Sequence, residues 1–520
     1  MRPVKDGRRQ GTSGRRITVS RNTTGSRTDR LSRRRAGRTR VALGLLAVAV
    51  LLSGCAGRSV PGVAKAVDEV DPGTVAGLPV TNDDKVPSGQ RDGVGEAALA
   101  VDNADHGETD KLAINAVADL YDYWTEQLPA SFDRQQFEPL RRLVSYDSNG
   151  RNIEVCRTGT AGQVNAFYCS TDDSIAWDRG ELLPQLSEMF GPMAVVAVLA
   201  HEMGHAVQFR LGEKSNVNQS TPTIVKEQQA DCYAGGFFRW IADGKSKRFQ
   251  ISTGEGLNQV LATMVFIKDP PGTEFTKQGA HGLAFDRVFA FQAGFIEGPT
   301  RCAKMDVYDI KKRITEKSFA PDDQDQGNLP INNSKIKLLA ESLKLTFRES
   351  GSQPPQIKNN GSKCANGRST SPVTYCPEEN VVAIDLRKLG EIGKVPRRAN
   401  QPLGSSKAIG DFAAFAEIAS RYTLSVQKAV GLSLDNEKAG LRTACLTGGW
   451  AAVANNNTSQ TKEELRLSPG DLDEAIAEML GSQSLIAADV NGTPAQAGFA
   501  RVEAFRVGYA NAKDCTSRFG

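Results

Sequence analysis

The stretch that decides the fold reads PMAVVAVLAHEMGHAVQFRL, residues 192–211. It is strongly apolar, opens on Pro192, a residue suited to a first helical turn, and stops at Gly212. The punctuation predicts one helix. Within it His201 and His205 stand at i and i+4, so both imidazoles share a face and can reach one metal ion. Glu202 lies between them, placed to take a proton from a water on that metal. The bland alternative is a pair of core histidines that happen to share a face.

A catalytic zinc needs a third protein ligand and an open position for water. Glu227-Gln228-Gln229-Ala230-Asp231 begins 22 residues after His205, in a segment of helical character. Glu227 and Asp231 are again four apart and can face the first helix together. We assign Glu227 as the third ligand and Asp231 as the carboxylate that accepts a ligand His N–H. A solvated acidic face is the competing reading.

These residues resemble the bacterial putative neutral zinc metallopeptidase family, whose pattern is an HExGHxxQ helix followed by an ExQADCxAG helix. His201 through Gln208 carry the first motif, and Glu227 through Ala230-Asp231-Cys232-Tyr233-Ala234-Gly235 the second. The resemblance covers about residues 112–303. It implies a zincin-like fold, Zn²⁺ as cofactor and hydrolysis of a protein or peptide substrate. His281-Gly282 matches the family's His-Gly position, which implies that His281 steadies the oxyanion formed at the scissile carbonyl. A structural or helix-capping His281 is an equal alternative, and Tyr233 is a weaker competitor for the role.

The remaining sequence repeats itself. Phe167-Tyr168-Cys169 leads to Ile175-Ala176-Trp177-Asp178, and Thr374-Tyr375-Cys376 leads to Val382-Ala383-Ile384-Asp385. Cys232-Tyr233-Ala234-Gly235-Gly236-Phe237 is echoed by Cys445-Leu446-Thr447-Gly448-Gly449-Trp450, and Arg287 to Phe295 by Arg501 to Tyr509. Cys232 to Cys302 and Cys445 to Cys515 both span 70 residues. We expect a domain over 110–307, a linker over 308–332, and a degenerate copy of the same α+β fold over 333–520. Apart from Cys55, the eight remaining cysteines form an even set, which favours disulfides if the chain is exported, as its N-terminus suggests below. If both copies fold alike the pairs are Cys156–Cys169, Cys232–Cys302, Cys364–Cys376 and Cys445–Cys515. In the second copy Ser420, Arg421 and Leu424 stand where His201, Glu202 and His205 do, and Gly440 and Ala444 replace Glu227 and Asp231. That copy cannot hold zinc.

The N-terminus reads as an address. Residues 1–54 carry 14 Lys and Arg against two Asp, a net +12, and Val41 to Leu52 are an apolar run too short to span a bilayer. Leu52-Ser53-Gly54-Cys55 resembles the lipobox of bacterial lipoproteins, in which the cysteine is lipidated and becomes the new N-terminus. This places the cut before Cys55, the mature chain on the outer side of the cell membrane, and a flexible tether over 55–109. The whole plan is similar to that of actinobacterial lipoprotein peptidases. His106, at the end of the tether, reads as solvated. Without the leader the chain carries a net charge of −8, which argues against a nucleic-acid partner. Two other classes remain on this evidence: a non-catalytic zinc-containing envelope lipoprotein that binds or scaffolds, and a zinc hydrolase of a non-peptide amide.

Overall fold

In the computed structural model the apolar stretch around His201 is a single helix from Pro192 to Leu211, bounded by Gly191 and Gly212. The structure describes residues 70–520 apart from 275, 278, 312–314, 316–317, 320–326, 397–406 and 457–464. The expected leader, Cys55 and the first part of the expected tether lie outside the described residues.

The first half runs α1 (Glu108–Ser131), β1 (Arg142–Tyr146), β2 (Ala166–Cys169), β3 (Ser174–Asp178) and α2 (Leu182–Phe190). It continues with α3 (Pro192–Leu211), α4 (Thr223–Ala242), α5 (Glu255–Phe266) and α6 (Ala284–Glu297). The sheet order is β1-β3-β2, with β1 parallel and β2 antiparallel to the central β3. β3 is buried along its whole length and β2 forms one edge. Helices α1, α2, α4 and α5 and strand β2 all pack on α3. That explains why this helix is apolar on nearly every side: it lies inside the core rather than on it.

The second half follows the same plan. It comprises α7 (Asn333–Thr346), β4 (Gln356–Asn359), β5 (Val373–Cys376), β6 (Val381–Ile384) and α8 (Leu386–Ile392). Then come α9 (Asp411–Ala429), α10 (Glu437–Asn456), α11 (Asp471–Leu480) and α12 (Gly498–Ala510). Its sheet is ordered β4-β6-β5, again with one parallel and one antiparallel pairing. The closest helix approach recurs too. A Cβ on Gly235 of α4 would collide with the Phe291 carbonyl of α6, and one on Gly448 of α10 would collide with the Phe505 carbonyl of α12. All four expected disulfides are present: Cys156–Cys169, Cys232–Cys302, Cys364–Cys376 and Cys445–Cys515.

Two expectations about organisation need correction. The stretch 110–307 and the stretch 333–520 are not separate domains on a linker, because one apolar core runs through both. α5 packs on α11 and α12, and α11 packs on α5 and α6. Phe285 of α6 meets Phe505 and Tyr509 of α12, and Phe295 meets Phe499. The second correction concerns the tether. From Val70 onward it is bound to the fold, Gly89–Gln90 pairing with Phe249–Gln250 and Thr81 with Thr253. Asn115 of α1 holds Gln90, Gly95 and Ala97 through its side-chain amide. This segment lacks an apolar period because short polar side chains and its own backbone hold it, a pattern that hydrophobicity does not reveal. His106 is exposed as expected, its Nδ1 2.7 Å from Glu96 Oε1.

Among the described residues no helix is long and apolar enough to cross a membrane. Removing residues 333–520 would bare the apolar faces of α5 and α6. The truncated chain is therefore expected to lose its cooperative melting transition and to aggregate on gel filtration. A soluble monomer that melts cooperatively would show that the shared core is dispensable.

Candidate metal centre

α3 presents His201 and His205 one turn apart, and α4 presents Glu227 and Asp231 one turn apart opposite them. Gly204 permits this approach, since a Cβ there would lie 2.8 Å from the Ala230 Cα. Glu227 Oε2 lies 3.1 Å from His201 Nε2 and 3.5 Å from His205 Nε2. His201, His205 and Glu227 thus offer two imidazole nitrogens and a carboxylate oxygen, all within 4.8 Å of one another. The donor chemistry suits a divalent, borderline-soft cation such as zinc.

Each imidazole is steadied on its far side. Asp231 Oδ1 is 2.7 Å from His201 Nδ1, and Gln208 Oε1 is 3.1 Å from His205 Nδ1. Asp231 in turn accepts from the Arg287 guanidinium at 2.8 and 2.9 Å, and Arg287 also donates to the Ile267 carbonyl at 3.0 Å. Gln208 donates to the Lys226 carbonyl at 2.6 Å, tying α3 to the start of α4. Such partners fix which nitrogen faces inward.

Glu202 points to the other side of the pair. Its Oε2 accepts the Tyr168 N–H at 2.8 Å, from the edge strand β2. Burial raises its pKa, against the pull of the two imidazoles. Burial also opposes charge on His201, yet Asp231 and Glu227 outweigh it and raise the His201 pKa to about 10. Glu227 and Asp231 go the other way. Burial disfavours their charge, but His205 and His201 hold Glu227 well below the usual carboxylate range, and Arg287 and His201 hold Asp231 down.

These groups open on a cavity of about 390 Å³, whose apolar wall includes Leu186, Val198 and Met264. His281 reaches the same cavity from its rim. Its side chain is half exposed, with Nδ1 3.4 Å from Asp269 Oδ1, and its backbone N–H is held by Asp269 Oδ2. Tyr233 is buried against Trp124 and does not line the cavity, so it is no competitor for His281.

In the second half the same place is filled. α9 carries Ser420, Arg421 and Leu424 on the turns where α3 carries its motif. Arg421 is buried and donates to the carbonyls of Leu485, Ala488 and Asp489. Burial lowers its pKa to about 10. The framework contact persists without the chemistry: Gln427 donates to the Ala439 carbonyl of α10, as Gln208 does to Lys226.

A family model described as "Putative neutral zinc metallopeptidase" matches residues 24–304, more than half of the chain. The chain belongs to this family. Among curated proteins it is similar to the uncharacterised Rv2575 of Mycobacterium tuberculosis, 28% identical over 170 residues, covering 29% of this chain and 58% of that protein. It is also similar to the uncharacterised YpfJ of Escherichia coli K12, 29% identical over 192 residues, covering 32% of this chain and 64% of that one. The chain therefore spans about three-fifths of the length of the curated relatives it matches. No solved structure matches it significantly.

Arg287, Gln208 and Tyr168 are the site residues that the sequence reading left without a role. Gln208 sits inside the quoted motif and could have been found as the third residue after His205. Arg287 stands 56 residues from Asp231, and no local spacing links them.

The charge arrangement sets a pH dependence for the metal-free protein. The His201 contribution to stability is full below about 6.5 and is lost as pH climbs toward about 10. The Glu227 contribution is full above about 4.5 and is lost as pH falls. The metal-free melting temperature should peak between these limits and decline on the alkaline side, and His201→Ala should flatten that decline. A wild-type melting temperature constant from about pH 6.5 to 9 would contradict the assignment.

Proposed function

We propose that the chain is a membrane-anchored, extracytoplasmic zinc metallopeptidase with one live site and one degenerate copy of the fold. The observation that carries this reading is the convergence of His201, His205 and Glu227 on one point beside Glu202 and an open cavity. A closed, structural zinc site would use a fourth protein ligand instead of a cavity. In this reading His201, His205 and Glu227 hold Zn²⁺. When bound, the metal supplies Lewis acidity that polarises the scissile carbonyl and eases deprotonation of a water.

The protein residues do the rest. Tyr168 N–H fixes Glu202 Oε2, leaving Oε1 to take the water's proton and pass it to the departing amine. The raised Glu202 pKa suits a group that must hold that proton briefly. His281, which lines the same cavity, is the side chain we assign to donate to the developing oxyanion.

The edge strand favours a peptide over another amide. Tyr168 N–H points away from β3 to Glu202, and alternation along the strand turns the main chain of Ala166 the same way. An extended substrate backbone can pair with that edge beside the metal group. Anchoring through lipidated Cys55 is supported by the leader, the apolar run and the cysteine that ends it. The tandem-copy reading is supported by the matching sheet orders, disulfides and glycine contacts of the two halves.

Protein that has never met a chelator should carry one zinc per chain, and His201→Ala should carry none. Glu202→Gln should keep its zinc while peptide hydrolysis falls by about 10²–10⁴-fold. Zinc-loaded wild type with no activity on any unfolded protein or peptide mixture would point to the binding-module class.

A further inference from the structure

Ile267 and His281, at the two ends of the loop between α5 and α6, line the cavity at its rim, and both ends of that loop are held by one residue of the second half. Asp473 lies on α11 with a buried side chain. Its Oδ2 accepts from Lys268 Nζ at 2.7 Å, at the start of the loop. Its Oδ1 accepts the Phe285 N–H at 2.9 Å, in the first turn of α6 just after the loop ends. One carboxylate therefore clamps the two ends together from outside the first half.

Both clamped residues lead into the site. Lys268 adjoins Asp269, whose carboxylate holds the backbone N–H groups of His281 and Gly282. Phe285 is two residues from Arg287, whose guanidinium holds Asp231, which in turn holds His201 Nδ1. A shift of the first turn of α6 would pass through Arg287 and Asp231 to a proposed metal ligand. A shift of the loop would move His281. The carboxylate is also well placed electrostatically, since it meets both an ammonium and the amide end of a helix.

We propose that Asp473 is a positioning residue through which the second half holds the rim and the Arg287–Asp231–His201 line in working geometry. For its effect on metal it rests on the metallopeptidase reading; for its effect on the loop it does not. The second half on this account is a fixed buttress of the first half's site. It needs no ligand of its own to act.

The test uses the full chain with Asp473→Ala and Asp473→Asn. Gln292→Ala serves as a control, because Gln292 bonds the Phe499 carbonyl across the same interface but farther along α6. Amide exchange is measured peptide by peptide, and zinc affinity by competition with a chelator. Asp473→Ala should speed exchange across 268–287 about tenfold or more while α9 stays protected. It should weaken zinc binding by about fivefold, less than the tenfold or more typical when a ligand's direct partner is lost. Asp473→Asn keeps an acceptor for Phe285 and should fall between, which serves if the alanine variant fails to fold. Gln292→Ala should leave zinc affinity unchanged. The proposal is overturned if the Asp473 variants match Gln292→Ala in both readouts. If wild-type protein binds no zinc, the metallopeptidase reading fails, and exchange over 268–287 alone decides whether Asp473 holds the rim.

Discussion

Asp231 is a buried carboxylate held between an imidazole and a guanidinium, and the rest of the site depends on that arrangement. Three helices contribute one group each: His201 from α3, Asp231 from α4 and Arg287 from α6. None of these charges could be buried alone, because desolvation would cost several kcal/mol per ion. Asp231 offsets part of the positive charge, Glu227 on the other side of His201 supplies a second carboxylate, and most of their hydrogen-bonding groups are satisfied. The set therefore fixes the mutual position of the three helices as well as the orientation of His201. Gly204 and Gly235 let the backbones close around it.

The two halves use one framework for opposite ends. In the first, the space between the third and fourth helices holds nitrogen and oxygen donors that converge and lead to a cavity. In the second, a guanidinium occupies the equivalent turn and spends its donors on three backbone carbonyls. A donor had to remain there for the buried Ala488 carbonyl, while those of Leu485 and Asp489 also accept the Ala488 and Gly492 backbone N–H groups. Arg421 supplies one, so the second half keeps a rigid core where the first keeps an open site. Its rigidity matters to the first half, since α11 and α12 form the wall on which α5 and α6 rest.

The cavity is built from several levels of structure at once. α3 sets the donors, β2 provides an open strand edge with Glu202 hydrogen-bonded to it, and α2 and α5 supply Leu186 and Met264 as an apolar wall. The rim comes from the loop before α6, where Asp269 holds the backbone at His281.

What the sequence by itself determined is local or repeated. Four-residue spacing on a helix put His201 with His205 and Glu227 with Asp231, because a period of 3.6 leaves no other arrangement. Pro192 and Gly212 marked the ends of α3, and the sequence echo between the two halves picked out all four disulfides. Tertiary structure alone decided the rest. The pairing of Arg287 with Asp231 and of Asp473 with Lys268 spans 56 and 205 residues, distances over which no periodicity carries information. The binding of residues 70–107 to the fold was invisible because it rests on backbone and short polar side chains. The merging of two expected domains into one core was equally hidden. Apolar residues on α5, α6, α11 and α12 show that a face must be buried, but only the folded chain shows that each half buries it against the other.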